Sequence, residues 1–278
     1  MALNSIVKAG LIEAVRKASQ KEILPRFRAL SDSDVDTKSG PDDLVTVADI
    51  RAEEAISIAA RDLLPGALIV GEVAVAKDPS VLQSLPDAVT AIIIDPIDGT
   101  SNFAKGLAVF GVILAVITGG KTEFGLLYDP LLDDWVEATR GDGVWFVQQG
   151  HTRKQLSTQS PGSVRDATGY VSLHLFPDSD KARIAASFPK FSFVGNLRCS
   201  CHEYRMMELG HADFVYAASA KPWDHAAGAL VLKELGGRLI GPDGDPYAPG
   251  VSRAPLIGYA FDSVERQREI SHIIGVGS

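Results

Sequence analysis

The sequence predicts a mixed fold, α+β / α/β in class. Three observations carry that expectation. Residues 1–63 contain two stretches whose apolar residues recur at helical spacing. Residues 67–150 contain short apolar runs separated by glycine-rich turns. From about residue 151, strand-like and helix-like stretches alternate. The expected division is an α+β half over 1–150 and an α/β half over 151–278.

The elements follow in order. MALNSIVKAGLIEAVRKASQ is amphipathic through Leu3, Ile6, Val7, Leu11, Ile12 and Val15, and its helix is expected to reach about Leu30. SDSDVDTKSGPDDL is polar, acidic and turn-rich, so it reads as a loop. TVADIRAEEAISIAARDLLPG is a second helix with an imperfect stripe of Ile50, Ala55, Ile56, Ile58 and Leu63, ended by Pro65-Gly66. ALIVGE (67–72) and AVTAIIID (88–95) read as strands, and residues 108–150 as a meander turning at Gly119-Gly120 and Gly141-Asp142-Gly143. The run LAVFGVILAVI (107–117) is too short to cross a bilayer and is expected to be a buried strand. ATGYVSLHL and FSFVGNLR are strand-like, SDKARIAASF is helical, and SCHEYRMMELGHADF reads as helix into strand. WDHAAGALVLKELGG is a helix closed by Gly236-Gly237, with a strand after it.

Composition narrows the class. With 278 residues, 46% hydrophobic and 22% charged, the chain has length for a substantial core and an ordinary soluble balance. A net charge of −8 argues against nucleic acid as the main partner, because phosphate backbones require clustered Lys and Arg. A small anionic substrate stays compatible where a bound cation reverses the local sign. The N-terminus lacks the unbroken apolar core of a signal peptide, and no membrane association is expected. Cys199 and Cys201 stand too close for a useful structural disulfide and read as buried reduced thiols, which points to the cytoplasm. Zinc held by them with His202 is the weaker reading, since a tetrahedral site needs a fourth ligand and wider spacing.

The informative stretch is IIIDPIDGTSNF, residues 92–103. Asp95 and Asp98 repel one another, so bringing them together costs free energy unless a cation or proton compensates. Asp98-Gly99-Thr100-Ser101 reads as the start of a short helix, whose first amides attract an anion such as phosphate. The same residues also suit a plain Asp-Gly turn or a helix cap. Glu72 follows the LIVG run much as Asp95 follows AIII; if those strands are neighbours, both carboxylates emerge at one rim. Asp224 begins the AAGALVLKELGG helix behind Trp223, and Asp49 lies in VTVADI; each also suits an ordinary helix-start acid. Oxygen ligands of this kind suit Mg²⁺, which commonly shares its shell with substrate phosphate.

Four pieces, DLVTVAD (43–49), GE (71–72), DPIDGTSNF (95–103) and WDHAAGALVLKELGG (223–237), occur in an order and spacing that resembles the inositol monophosphatase family of lithium-sensitive, magnesium-dependent phosphatases. The likeness runs over nearly the whole chain, and SuhB-type bacterial members are similar in length. It implies a layered α-β-α-β-α sandwich, a homodimer, a small phosphorylated substrate and two to three Mg²⁺ per site. Glu72, Asp95 and the Ile97 carbonyl would hold the first ion; Asp95, Asp98 and Asp224 would hold the second. Thr100, supported by Asp49, would help Glu72 activate the attacking water. Amides of Gly99 and Thr100, with Ser101, would bind phosphate, while Arg198 and Lys38 would lie on the substrate side.

Three departures bear on substrate. Val73 replaces the second acid of the family's G-E-E, which leaves lithium sensitivity open. Ala217 stands where inositol phosphatases carry a Glu before W-D, with Lys221 nearer that motif. RCSCHEYR replaces a run of small residues after Arg198. The expected activity is therefore a Mg²⁺-dependent phosphomonoesterase acting on a polyol or sugar phosphate, with inositol 1-phosphate the default. Histidinol phosphate, fructose 1,6-bisphosphate and 3′-phosphoadenosine 5′-phosphate are the alternatives. A regulatory SuhB-like protein bound to the transcription machinery is the competing class.

Overall fold

The computed structural model describes residues 3–37, 44–148, 154–251 and 253–276. Helix α1 spans Ser5–Ala18, capped by the Asn4 side chain, which accepts from the Ile6 amide at 2.9 Å. Its path continues through a π-turn at Ser19–Ile23 and a 3₁₀ turn at Leu24–Arg26. Helical geometry thus ends at Arg26, short of Leu30, where Phe27 turns extended at φ −63° and ψ 123° and Arg28 takes φ +59°.

The segment read as a loop contains a short strand, β1 Val35–Thr37, and its last residue opens another, β2 Leu44–Thr46, which pairs antiparallel with it. Their short length and partly exposed side chains hide the pairing from a composition-based reading. Helix α2, Val47–Leu63, opens on a capping box between Thr46 and Asp49. Its buried face is Ala48, Ala52, Ile56 and Ala60, whereas Ile50 and Ile58 are 37% and 55% exposed. Three alanines and Ile56 form the stripe, with small side chains letting the helix pack close against the sheet.

The first sheet is built from β3 Leu68–Gly71, β4 Thr90–Asp98, β5 Gly111–Thr118, β6 Lys121–Asp129, β7 Asp134–Thr139, β8 Gly143–Gln148 and β9 Lys154–Gln155. They lie in that order, with β3 and β4 parallel and every later pair antiparallel. The expected meander is present. Short helices α3 Glu72–Lys77 and α4 Ser80–Gln83 join β3 to β4, and α5 Thr100–Ala104 follows β4.

The second sheet has the order β11-β10-β12-β14-β13. Its strands are β10 Thr168–Val171, β11 Phe193–Gly195, β12 Phe214–Ala217, β13 Arg238–Ile240 and β14 Leu256–Tyr259. Helices α6 Asp178–Ala185, α7 Ser200–Glu208, α8 Pro222–Glu234 and α9 Val264–Ile274 connect or follow them. Strand β14 and helix α9 were not foreseen from the sequence.

Strand alternation sorts the core into layers. Ile92, Ile94, Val112 and Leu114 meet Leu11, Val15, Ala52 and Ile56 of α1 and α2. Ile93, Ile113 and Ala115 on the opposite face pack with Tyr204 and Met207 of α7, Ala226 and Leu230 of α8, and Val215 of β12. Beyond the second sheet, Phe214, Tyr216, Ile257 and Tyr259 pack with Ile184 of α6 and Ile270 and Ile274 of α9. The result is the expected α-β-α-β-α sandwich. Among the described residues no helix is long and apolar enough to cross a membrane.

Candidate functional site

Parallel pairing sets Gly71 opposite Ile94, so β3 and β4 run out toward the same rim. The condition placed on Glu72 and Asp95 is therefore met. Two details differ. Glu72 is the first residue of α3 and not a strand end. Strand β4 does not stop at Asp95 but runs on through Pro96 to Asp98.

That extension explains the paired acids. In a regular strand, residues three apart point to opposite faces. Here Asp95 pairs with Ile113 and Asp98 with Gly111, so one extra residue bulges out of β4 between them. The bulge resets the alternation and turns both carboxylates to one side. Asp224 comes from the first turn of α8, in the central helical layer. Carboxylate oxygens of Asp95, Asp98 and Asp224 all lie within 4.8 Å of one another. Asp95 and Asp98 are buried and Asp224 is half-buried. Glu72 is also buried but is not a member of that group.

Burial and the neighbouring Asp224 push the Asp98 carboxyl up to about 7; the Cys201 and Ser200 amides and the Cys199 thiol oppose that shift. A buried set of hard oxygen donors, one of them raised by burial and then by the charge of its neighbour, fits a small divalent cation, which would offset both.

Asp49 accepts from the Thr46 amide at 2.8 Å and from the Thr46 hydroxyl through one oxygen; its other oxygen lies 3.1 Å from the Thr100 hydroxyl. Thr100 Oγ1 is also 2.8 Å from the Ile97 carbonyl oxygen. With one proton, the hydroxyl donates to one of these acceptors at a time. Gly99 has φ +86°, and a Cβ there would meet the Val109 carbonyl oxygen at 2.9 Å, so glycine is required twice over. The Thr100 and Ser101 amides lie ahead of the first intrahelical bond, which Asn102 donates to the Gly99 carbonyl at 2.8 Å. Ser101 Oγ accepts from Lys105 Nζ at 3.0 Å.

On the second-sheet side, Arg198 adopts φ +53° and donates its amide to Asn196 Oδ1 at 2.8 Å. Asn102 donates to the Val109 and Leu197 carbonyls at 2.9 and 2.8 Å, tying the two sides together. Lys38 lies outside the described residues. Val73 is buried, Ala217 ends β12, and Lys221 precedes α8 with Nζ 5.7 Å from the Trp223 ring centroid. His202 is a packing residue whose Nε2 lies 3.0 Å from the Phe110 carbonyl oxygen. His225 is buried against Tyr204, with Nδ1 2.9 Å from the phenol oxygen, and burial lowers its pKa to about 4.

Sequence reasoning passed over Glu53, Lys105 and Tyr204, and assigned no role to Cys199. Glu53 carried a readable signal, being one turn after Asp49 on the same helix face. For Cys199 no local signal existed, because its partner lies 101 positions away.

The pattern of the inositol monophosphatase family matches residues 4–265, and the chain belongs to that family. Among individual relatives, it is 31% identical over 236 residues to the Nus factor SuhB of Escherichia coli strain K12, covering 81% of each chain. It is 26% identical over 216 residues to the inositol-1-monophosphatase of Bacillus subtilis, covering 77% of this chain and 78% of that one. The fold matches the IMPase of Thermotoga maritima with a TM-score of 0.78 at 23% identity, over 95% of this chain and 94% of that one.

Proposed function

We propose that the protein is a Mg²⁺-dependent phosphomonoesterase acting on a small polyol or sugar phosphate, with inositol 1-phosphate as the first substrate to test. The observation that carries this reading is the convergence of Asp95, Asp98 and Asp224 within 4.8 Å. Glu72, Asp95 and the Ile97 carbonyl would hold one ion, and Asp95, Asp98 and Asp224 a second. When bound, such ions supply a lowered water pKa and charge stabilisation at the attacking and leaving oxygens. No side-chain nucleophile is then needed. Asp49 keeps the Thr100 hydroxyl at the rim, placed to orient a water beside Glu72. Amides at Gly99, Thr100 and Ser101 would bind the phosphate, and the family resemblance assigns Arg198 and Lys38 to the substrate. Ala217 removes an acid that would read an inositol hydroxyl, so the polyol is the least specified part of the reading. A homodimer and inhibition by lithium belong to the same reading, with the degree of lithium sensitivity left open by Val73 and read from an inhibition curve.

The test is a panel of inositol 1-phosphate, histidinol phosphate, fructose 1,6-bisphosphate and 3′-phosphoadenosine 5′-phosphate, each with and without Mg²⁺. Turnover of at least one, dependent on Mg²⁺, is expected. Asp95→Asn should lower it more than about a hundredfold, beyond the loss typical of outer-layer partners of a metal. No turnover across the panel overturns the enzymatic reading.

A second reading rests on the 31% identity to Nus factor SuhB. In it the chain acts by binding the transcription machinery. Co-purification of transcription complexes on the native protein, undiminished in Asp95→Asn, would favour that reading over catalysis.

A further inference from the structure

RCSCHEYR, residues 198–205, leads into and begins α7, with Cys199 at its N-cap. Asp98 Oδ2 receives the Cys201 amide and lies 3.2 Å from Cys199 Sγ. A carboxylate only accepts, so the thiol is the donor. The two cysteines do different things. Cys201 Sγ packs where Gly111 has no side chain, 2.5 Å from the place a Cβ would occupy. Only Cys199 turns its thiol toward the acidic cluster. Further along α7, Tyr204 bonds His225, the neighbour of Asp224. One helix therefore grips the surroundings of two carboxylates that repel each other.

We propose that α7 sets the ligand geometry of this site and that Cys199 is a positioning residue which fixes the Asp98 carboxylate for metal binding. This rests on the reading of Asp98 as a metal ligand. The thiol and the Cys201 amide meet Oδ2, and the Ser200 amide adds a further bond to the same carboxylate. Held in that plane, the carboxylate loses less rotational freedom when a cation binds. A freely rotating Asp98 would meet the same cation at a greater entropic cost.

The experiment is calorimetric titration of MgCl₂ into the full-length protein, without substrate, for native, Cys199→Ser, Cys199→Val and Cys199→Ala. Serine keeps a donor; valine keeps the bulk without it; alanine covers the case in which valine does not fold. Mg²⁺ affinity should fall about tenfold in the valine and alanine variants, the lower end of the range for outer-layer partners. Serine should stay within about threefold of native, since it exchanges one donor for another. Native affinity in the valine or alanine variant overturns the positioning role while leaving the phosphatase reading intact. Serine as weak as alanine also overturns it, because packing alone would then explain the loss. No Mg²⁺ binding by the native protein overturns both readings together.

Discussion

Glu203 sits in α7 behind the acidic cluster, with its carboxylate accepting the Leu197 amide at 2.8 Å. Burial pushes its carboxyl up to about 8, and the charges of Asp98 and Asp224 add to the shift. The ordinary value is 4.5, so between the two the folded state binds more protons than the unfolded state. Stability attributable to this group therefore falls as pH rises from about 4.5 toward 8, then levels off. Gln accepts the same amide bond without a charge. Glu203→Gln should match native stability near pH 4.5 and gain on it progressively up to pH 8, read from urea midpoints in metal-free buffer. A difference that does not change with pH would contradict this account.

Helices α2 and α3 show how one element serves another. Glu53 on α2 accepts the Val73 and Ala74 amides of α3, both at 2.8 Å, capping a helix that has no side-chain cap of its own. Close packing makes this possible: a Cβ on Gly71 would lie 2.1 Å from the Glu53 carboxyl carbon. One turn earlier, Asp49 reaches Thr100. The same face of α2 thus fixes the residues after β3 and after β4. Glu53→Ala should cost about 1–2 kcal/mol, the usual loss for a helix cap, measured by urea unfolding. Mg²⁺ affinity should fall with it, because Glu72 is the residue just before the capped amides. Unchanged stability would show that these two bonds contribute little.

At the scale of the whole molecule, the site joins the first sheet to the central helical layer, so cation binding should stabilise the entire fold. Mg²⁺ at one hundred times its dissociation constant adds about 2.7 kcal/mol. For a chain of this size that raises the melting temperature by about 5–10 °C. The cation competes with the proton on Asp98, whose carboxyl is held at about 7, so the rise should be larger at pH 8 than at pH 6. Asp95→Asn should abolish it. Equal shifts for native and variant would place the cation elsewhere on the molecule.

Much of this was legible from residue order. Apolar runs bounded by turn residues marked β4 and β5, helical spacing marked α1, and Gly-Gly pairs marked the turn after β5 and the end of α8, because such patterns depend only on local geometry. Acids clustered within DPID, and a distant WD in family order, named the ligand candidates before any coordinates. Other features were invisible for a common reason: they depend on contacts between distant segments. The alanine face of α2 is apolar only in relation to the sheet it touches. Strands β1 and β2 have three residues each, too few for a periodic signal, and show themselves only in their pairing. Pairing with β5 creates the bulge that turns Asp95 and Asp98 to one side. Sequence by itself determined the layered class, the family and the acids; tertiary structure alone decided that Asp224 meets them and that Cys199 and Glu53 hold their surroundings. Local propensity acts through neighbours along the chain, whereas a charged cluster exists only once packing has overcome the repulsion between its members.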